Sequence, residues 1–367
     1  CFSLQAATLI VPSQYPTIQS AIDAAGANDT VHVLAGVYPE TLAISRKSLV
    51  LIGEQAILDG EDKRRGMIIT ESSVYISGME FRGQRMENGI GSVIMAIGAP
   101  SGNDIMIIDN CRFSPKIADD LVSIKGADCD LILMNSFFNG FSAMRNGYSI
   151  VWSGNHFVQM VRNSFDGCQG GGSIIPNSVG GIALQCSVHG VPPYSQGTTC
   201  IVEDNRFFGC MGMSINLSNF STAWIIGNVL SQSPINPRIE TNFRLNFCGR
   251  VEVLNNRIDR IGGFQVISNS DFLIFANNSV SDITNVRARE LMWGLRTYSG
   301  AVPIVEFRNN IIYNNQVTSL FASSLNVNAQ FNDIRLSGLP ANSYHPSNID
   351  VDPMWVDSSK HLAFNSP

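Results

Sequence analysis

One asparagine-containing pattern recurs along the chain and constrains the fold more strongly than any other sequence feature. Each copy ends a short, mostly apolar run, as in Ile-Ile-Asp-Asn110 and Val-Glu-Asp-Asn205. The repeated positions are Asn110, Asn135, Asn205, Asn228, Asn256, Asn278 and Asn310. Repeats at intervals of roughly 20 to 50 residues are typical of solenoids, in which each coil packs only against its neighbours. The sequence therefore predicts a solenoid, with an inserted loop in the longest gap, between 163 and 205.

Asparagine suits a sharp corner between two strands of such a coil. It tolerates a left-handed backbone, and its amide can bond the same residue in the coils above and below. The neighbouring strands alternate apolar and polar residues, as in Val251-Glu-Val-Leu254, which fits a strand with one face inside a solenoid. A chain of 367 residues exceeds the usual size of one core, but a solenoid core extends coil by coil. We therefore predict an all-β, single-stranded right-handed parallel β-helix.

The ends of a β-helix expose unpaired strand edges and need covers. Residues 16–25 predict a short amphipathic helix with Ile18 and Ile22 on one face. This helix is well placed to cover the first coil, so we assign residues 8–30 to an N-terminal cap.

The rest of the chain predicts one domain, residues 8–367, with residues 340–367 as its closing segment. Residues 1–7 are apolar and then small, which is typical of the tail of a signal peptide and predicts a secreted, extracellular or periplasmic protein. No later apolar stretch reaches the ~18 residues needed to cross a bilayer, so no membrane span is predicted.

The charge balance excludes one class of partner. The formal net charge is −6, and the sequence has no run of basic residues that would attract nucleic acid. Only five residues are lysines, so a lysine on a functional face stands out. We expect a monomer that binds no nucleic acid.

Four of the eight cysteines lie between 168 and 210. Cys168 and Cys210 each end the string Phe-x-Gly-Cys, and in neighbouring coils their α-carbons would lie ~4.8 Å apart, a distance that a disulfide tolerates. Cys186 and Cys200 flank a loop rich in Pro and Gly and could close it. Buried thiols are the alternative.

Two cations emerge as candidate catalytic residues when positions are counted from the repeat. Lys125 lies ten residues before Asn135, and Arg145 lies ten before Asn155. Alternation with the apolar Ile124 points Lys125 outward. If Asn155 is the corner residue of its coil, the two cations are neighbours, roughly 5 Å apart at the backbone. A nearby cation favours the neutral amine of a lysine, the form that acts as a general base.

Carboxylates surround Lys125 in the sequence. Asp119 and Asp120 precede it, and Asp128 and Asp130 follow it. Such oxygen ligands could hold Ca²⁺. Asp119 and Asp120 also resemble the paired carboxylates of polygalacturonase-type glycoside hydrolases, which use an acid and a base.

The stretch over about residues 119–157 resembles the catalytic region of the family-6 polysaccharide lyases, the alginate lyase and chondroitinase B group. The resemblance depends on the strings Asp120-Leu-Val-Ser-Ile-Lys125-Gly, Asn135-Ser-Phe137, Arg145-Asn-Gly147 and Gly154-Asn-His-Phe157. It implies that Lys125 is the Brønsted base and Arg145 the acid. It also implies Ca²⁺ bound by Asp120, and a uronate-containing polysaccharide cleaved by β-elimination.

The resemblance has three departures. Asn146 replaces a histidine, Gly126 replaces a serine, and Ala183 replaces a substrate-binding arginine. These changes leave two other hypotheses open: a non-catalytic secreted module that binds glycans, with Lys125 and Arg145 as solvated surface residues, and a hydrolase.

Further along the chain, alternation predicts more outward polar residues that could extend a groove for an acidic polysaccharide. They are Arg244, Asn246, Gln265 and Ser268. Plain strand surface is the alternative for these positions. His189 is a candidate substrate-binding residue, whereas His156 has no partner visible in the sequence.

Overall fold

Almost all regular structure in the protein is β-strand. A computed structural model describes residues 6–84, 91–99, 102–114, 121–139, 142–143, 148–154, 156–166, 169–170, 180–186, 195–208, 213–231, 240–261, 263–268, 270–283, 290–293, 303–313, 319–321, 327–335 and 345–354. Within these ranges the one helix is α1, Ile18–Ala24. The predicted all-β class with an N-terminal helix is confirmed.

The strands follow one another in short steps along the chain. The first eighteen are β1 Thr8–Val11, β2 Thr30–Val33, β3 Gly36–Tyr38, β4 Leu42–Ser45, β5 Leu49–Asp59, β6 Met67–Thr70, β7 Val74–Arg82, β8 Gly91–Ile97, β9 Ile105–Asp109, β10 Arg112–Ser114, β11 Leu121–Ala127, β12 Asp130–Met134, β13 Phe137–Asn139, β14 Ser142–Ala143, β15 Tyr148–Gly154, β16 Phe157–Val161, β17 Ser164–Asp166 and β18 Gln169–Gly170. The remainder are β19 Gly180–Cys186, β20 Ser195–Glu203, β21 Arg206–Phe208, β22 Met213–Ser218, β23 Phe220–Ile226, β24 Val229–Ser231, β25 Glu240–Asn246, β26 Arg250–Leu254, β27 Arg257–Asp259, β28 Gly263–Ser268, β29 Phe272–Ala276, β30 Ser279–Ser281, β31 Glu290–Trp293, β32 Ile304–Arg308, β33 Ile311–Tyr313, β34 Ser319–Phe321, β35 Val327–Gln330 and β36 Asp333–Ile334.

These strands build a parallel β-helix. Across the described ranges they form an eleven-stranded sheet, a 23-stranded sheet and a separate two-stranded pair of β14 with β18. A typical coil contributes β11 to the eleven-stranded sheet, then β12 and β13 to the larger sheet. β11 pairs in parallel with β8 and β15, and β12 pairs in parallel with β9 and β16. Each coil is therefore hydrogen-bonded to the coil before it and the coil after it.

Two consecutive residues form the corner between the two strands that a coil contributes to the larger sheet. Asn255 takes the left-handed backbone, with φ 57°, and is exposed, whereas the next residue, Asn256, is 1% exposed. Asn277 and Asn309 repeat this arrangement at φ 58° and 54°. The expectation that one asparagine both takes the left-handed backbone and bonds the neighbouring coils is wrong. The side chain of the left-handed residue points outward, and only the side chain of the following residue points into the coil.

The inward residues form a continuous asparagine ladder. Its members are Asn163, Asn205, Asn228, Asn256, Asn278, Asn310, Asn332 and Asn348. In each step the backbone N–H of one asparagine donates to Oδ1 of the next at 2.8–3.0 Å. The amide nitrogens donate to the next Oδ1 and to carbonyls of the coil before. The ladder thus satisfies polar groups that the solenoid buries at every corner.

Asn110 and Asn135 lie outside this ladder, contrary to prediction. Both are exposed, left-handed corner residues. The buried residues that follow them are Cys111 and Ser136, and Ser136 accepts from the Cys111 N–H at 3.1 Å. Ser136 in turn donates its N–H to Asn163 at 3.0 Å, so a shorter polar side chain continues the ladder.

Aromatic rings stack inside the coils, two residues beyond the ladder position. Phe81, Phe113, Phe138, Phe165 and Phe207 lie in one column, with ring centroids 4.6–5.0 Å apart. This separation matches the spacing of strands in a sheet, so identical residues in successive coils meet face to face. Such pairs add about 0.5–1.5 kcal/mol each beyond their buried area.

Charged residues of the next coil hold helix α1 at both ends. Glu40 accepts hydrogen bonds from the backbone N–H groups of Ile18 and Gln19 at 2.9 and 3.0 Å. Lys47 Nζ donates to the carbonyls of Ile22 and Ala25 at 2.8 and 2.9 Å. Both charges oppose the helix dipole in the favourable sense. With Ile18 and Ile22 buried, the helix covers the first coil as predicted.

Candidate active face

Lys125 projects from β11, the fourth strand from one end of the eleven-stranded sheet. Its neighbour on β11, Ile124, is fully buried, and Lys125 itself is exposed, as alternation predicted. Lys125 forms no hydrogen bond or ion pair with another described residue. Its α-carbon pairs with Met95 on the preceding coil and with Val151 on the following coil. The lysine therefore lies on an apolar stretch of the outer surface.

The predicted register between Lys125 and Arg145 is wrong. The residue one strand away from Lys125 is Val151, and Arg145 lies outside the described residues. The count was anchored on Asn155, whereas the corner residue that corresponds to Asn135 in this coil is Arg162. The anchor lies seven positions too early, and the true neighbour, Val151, lies six positions after the expected one.

A single row of strand partners connects Lys125 with Arg244. The row continues through Val151, Ala183 and Asn216 to Arg244. Four strand spacings of ~4.8 Å separate the two cations by ~19 Å along the solenoid axis. Sequence reasoning placed both residues on an outer face, but the structure puts them in the same row.

Arg244 carries an unsatisfied polar atom. Its side chain is half-buried, and its buried Nε has no hydrogen-bond acceptor in the described part of the chain. Beside it, Asn246 Nδ2 donates to Asn216 Oδ1 at 3.3 Å. A buried donor without a partner costs about 1–3 kcal/mol, and more when it is charged. A ligand oxygen placed between Arg244 and these amides would remove that cost.

Two other predicted groove residues, Gln265 and Ser268, belong to β28. Gln265 pairs at the backbone with Asn242, and its side chain lies outside the described set. Ser268 pairs with the fully buried Leu245 and is itself 2% exposed. The prediction that Ser268 faces outward is wrong, because it shares the inward side of the sheet with Leu245. His189 falls outside the described residues.

His156 has a partner that sequence reasoning missed. Its Nδ1 lies 3.3 Å from Oδ2 of Asp130, a carboxylate only 6% exposed. Oδ1 of Asp130 accepts the backbone N–H groups of His156 and Phe157 at 2.7 and 3.0 Å. Asp130 thus orders the corner of the following coil. The two residues are 26 positions apart, so no local motif could reveal the contact.

No group of three or more potential metal ligands occurs within the described ranges. The predicted calcium ligands Asp119 and Asp120 lie outside them. Asp128 occupies a left-handed corner with φ 56°. The calcium site therefore stays a prediction.

The disulfide candidates also stay predictions. Cys200 is fully buried on β20, in register with Val158 and Ala223. Cys168 and Cys210 lie outside the described residues, as does the side chain of Cys186.

Gly126 departs from the lyase pattern for a steric reason. The ring of Trp152, its strand partner on β15, fills the space that a Cβ at position 126 would occupy. Trp152 is 1% exposed, and its Nε1 donates to the carbonyl of Cys129 at 2.9 Å. The glycine after Lys125 therefore accommodates a buried tryptophan.

Solved structures of polysaccharide-modifying enzymes share features of this fold. The A-module of mannuronan C-5 epimerase AlgE6 from Azotobacter vinelandii has 14% identity and a TM-score of 0.47, over 86% of this chain and 94% of the module. The PL6 family alginate lyase AlyGC has 15% identity and a TM-score of 0.49, over 98% of this chain and 55% of the lyase. The A-module of mannuronan C-5 epimerase AlgE4 from A. vinelandii has 12% identity and a TM-score of 0.42, over 85% of this chain and 94% of the module.

These are similarities of fold, and the chain spans about half the length of the lyase. No protein-family model matches the chain, and no curated protein matches its sequence. In the described part of the chain, no helix is long and apolar enough to span a membrane.

Proposed function

We propose that the protein is a secreted polysaccharide lyase that cleaves a uronate-containing polysaccharide by β-elimination on the outer face of the eleven-stranded sheet. The observation that carries this proposal is the row that joins exposed Lys125 to Arg244, whose Nε has no acceptor among the described residues. A polymer lying along the solenoid axis would meet a candidate base and a candidate carboxylate-binding group. The motif resemblance around Lys125 supports the choice of reaction.

The chemistry uses the acidic proton beside the carboxylate of a uronate. Lys125 is proposed to take this proton. The electron pair of the broken C–H bond forms a carbon–carbon double bond as the glycosidic C–O bond breaks. The leaving oxygen takes a proton from Arg145, which also stabilises its charge. Asp119 and Asp120 would hold Ca²⁺, and this ion, or an arginine, would neutralise the substrate carboxylate and so favour loss of the neighbouring proton.

Arg244 is proposed to bind a second carboxylate of the same polymer, ~19 Å from the reacting sugar. Asn246, Gln265 and His189 are proposed to contact hydroxyl groups nearby. A guanidinium pairs with a carboxylate through two parallel hydrogen bonds, which fits an acidic rather than a neutral polymer. A substrate long enough to reach Arg244 would bind more tightly than a short one.

The test measures the ultraviolet absorbance of the unsaturated product with alginate, pectate and a glycosaminoglycan, with and without Ca²⁺. We expect wild-type protein to produce the signal with one of these polymers and Lys125→Met to abolish it. The matched variant Lys63→Met removes an exposed lysine that pairs with Glu61 outside this row of strand partners, and it should keep the activity. The absence of an absorbance increase when the wild type is mixed with each of the three polymers would contradict the proposal.

Two other functions predict different results. A non-catalytic glycan-binding module would bind the polymer without product and would be unchanged by Lys125→Met. A hydrolase would release new reducing ends without ultraviolet absorbance. For the lyase, Arg244→Gln should raise the KM for polymer at least about tenfold, because the variant loses ~1.4 kcal/mol or more of charged hydrogen bonding. The KM for short oligomers should not change.

A further inference from the structure

Phe247 has a backbone conformation that phenylalanine rarely adopts. It directly follows β25 and begins the corner towards β26 with φ 53°. In the preceding coil Ser218 pairs with Asn246, so the residue that corresponds to Phe247 is Asn219, which has φ 67°. Asparagine tolerates a left-handed backbone, whereas a bulky side chain is strained there. The corner after β25 therefore carries a residue that its backbone disfavours.

Strain of this kind supports a functional hypothesis only where the side chain has something to bind. Phe331 is also left-handed, with φ 56°, and is 64% exposed, but it lies at the corner between β35 and β36 of the larger sheet. Phe247 is 38% exposed and follows two polar residues of the proposed groove, Arg244 and Asn246. Its position distinguishes Phe247 from Phe331.

Three side chains at the end of β25 lie on the outside of the coil. Arg244 and Asn246 flank the fully buried Leu245, and the exposed Phe247 precedes the buried Cys248. Strand steps of ~3.3 Å place the α-carbons of Arg244 and Phe247 about 10 Å apart. The guanidinium, the amide and the aromatic ring can therefore contact one ligand.

These three groups match the chemistry of an acidic pyranose sugar. The buried Nε of Arg244 has no acceptor among the described residues, and a carboxylate would supply one. Asn246 Nδ2 donates to Asn216 Oδ1 at 3.3 Å, so two amides lie beside the guanidinium and can bond hydroxyl groups. A pyranose also has an apolar face of C–H groups, which leaves water when it stacks on an aromatic ring. Ligand sites typically combine aromatic surface with a few fixed polar groups.

We propose that Phe247 is a sugar-stacking residue whose ring packs against the apolar face of the uronate that Arg244 binds. The left-handed backbone keeps this ring outside the coil, next to Asn246. The inference rests on the acidic polysaccharide of the proposed function. It does not depend on the cleavage step, because Phe247 lies four coils from Lys125, ~19 Å along the solenoid axis.

Isothermal titration calorimetry of the full chain with alginate, pectate and heparin tests this role. All proteins carry Lys125→Met, so that the polymer stays intact. With 38% of its surface exposed, Phe247 offers about 80 Å² to a sugar, and we expect Phe247→Asn to raise the Kd for the bound polymer about tenfold. Phe247→Tyr keeps the ring and should keep the affinity. Phe331→Asn is the matched control, because it makes the same change at another left-handed corner, and its Kd should not change.

The dependence on salt distinguishes stacking from ion pairing. The loss of affinity in Arg244→Gln should shrink as NaCl rises from about 0.05 to 0.5 M, because salt screens the charge. The loss in Phe247→Asn should stay near tenfold, because it is apolar in origin. Far-UV circular dichroism and cooperative urea unfolding check that each variant is folded. If Phe247→Asn does not fold, Phe247→Gly removes the ring without left-handed strain and should give the same loss.

An unchanged Kd in the folded Phe247 variant would overturn the inference, as would an equal loss in Phe331→Asn or in Phe247→Tyr. A protein that binds none of the three polymers would overturn both this inference and the proposed function. Binding that depends on Phe247, in a wild type that forms no unsaturated product, would overturn the cleavage step alone. Product formation together with an unchanged Kd in Phe247→Asn would overturn the stacking role alone.

Discussion

Replacement of one ladder asparagine should destabilise the solenoid far more than replacement of its sequence neighbour. Asn256 is 1% exposed, and its Oδ1 accepts the backbone N–H of Asn228 at 2.9 Å. Its Nδ2 donates to the carbonyl of Ile225 at 2.8 Å and to Asn278 Oδ1 at 3.0 Å. Asn256→Ala removes all of these contacts while the corner itself can keep its backbone.

The expected cost follows from the groups left without partners. The N–H of Asn228 and the carbonyl of Ile225 are both within the coil stack, and each buried unsatisfied group costs about 1–3 kcal/mol. Asn256→Ala should therefore lower the free energy of unfolding by about 4 kcal/mol. Asn255→Gly is the matched control, because Asn255 is exposed at φ 57° and glycine adopts that conformation freely, so its effect should stay within about 0.5 kcal/mol.

Urea unfolding followed by far-UV circular dichroism measures both variants against the wild type. The midpoint should fall sharply for Asn256→Ala and remain nearly unchanged for Asn255→Gly. A loss below about 1 kcal/mol for Asn256→Ala, or equal losses for the two variants, would refute the assignment of the ladder to the second asparagine.

Three further perturbations probe other parts of the structure. Lys47→Met removes the cation that bonds the last carbonyls of α1 and should cost about 2 kcal/mol in urea unfolding, whereas Lys63→Met should cost little. Gly126→Ala forces a methyl group against the ring of Trp152 and should cost about 1–3 kcal/mol, read out as a lower melting temperature; unchanged melting would contradict the packing. Burial raises the pKa of the Cys111 thiol to about 12, so native protein at pH 8 should resist alkylation there, and peptide mapping should detect modification only after unfolding.

The fold was accessible from the sequence because its signals are local. Each corner needs a residue that tolerates a left-handed backbone, followed by a polar side chain that can be buried. Asparagine meets both requirements, so it recurs along the sequence. The alternation around Lys125 likewise determined its outward direction, since successive side chains of a strand point to opposite faces. The helix before the first coil was recognisable from Ile18 and Ile22 alone.

The candidate site depended on contacts between coils, which the sequence does not encode locally. Coils differ in length: 27 residues separate Ser136 from Asn163, but 42 separate Asn163 from Asn205. Residues inserted between strands do not count toward the register, so counting from Asn155 assigned the wrong neighbour to Lys125. Arg145, Asp119 and Asp120 lie outside the described residues and stay predictions.

The sequence by itself determined the parallel β-helix, its capping helix and the outward direction of Lys125, because each follows from the conformational preferences of neighbouring residues. Tertiary structure decided that Val151 lies beside Lys125, that Arg244 shares its row and that Asp130 meets His156. These outcomes depend on which strands pair and in what register, and that pairing is a property of the stacked coils as a whole.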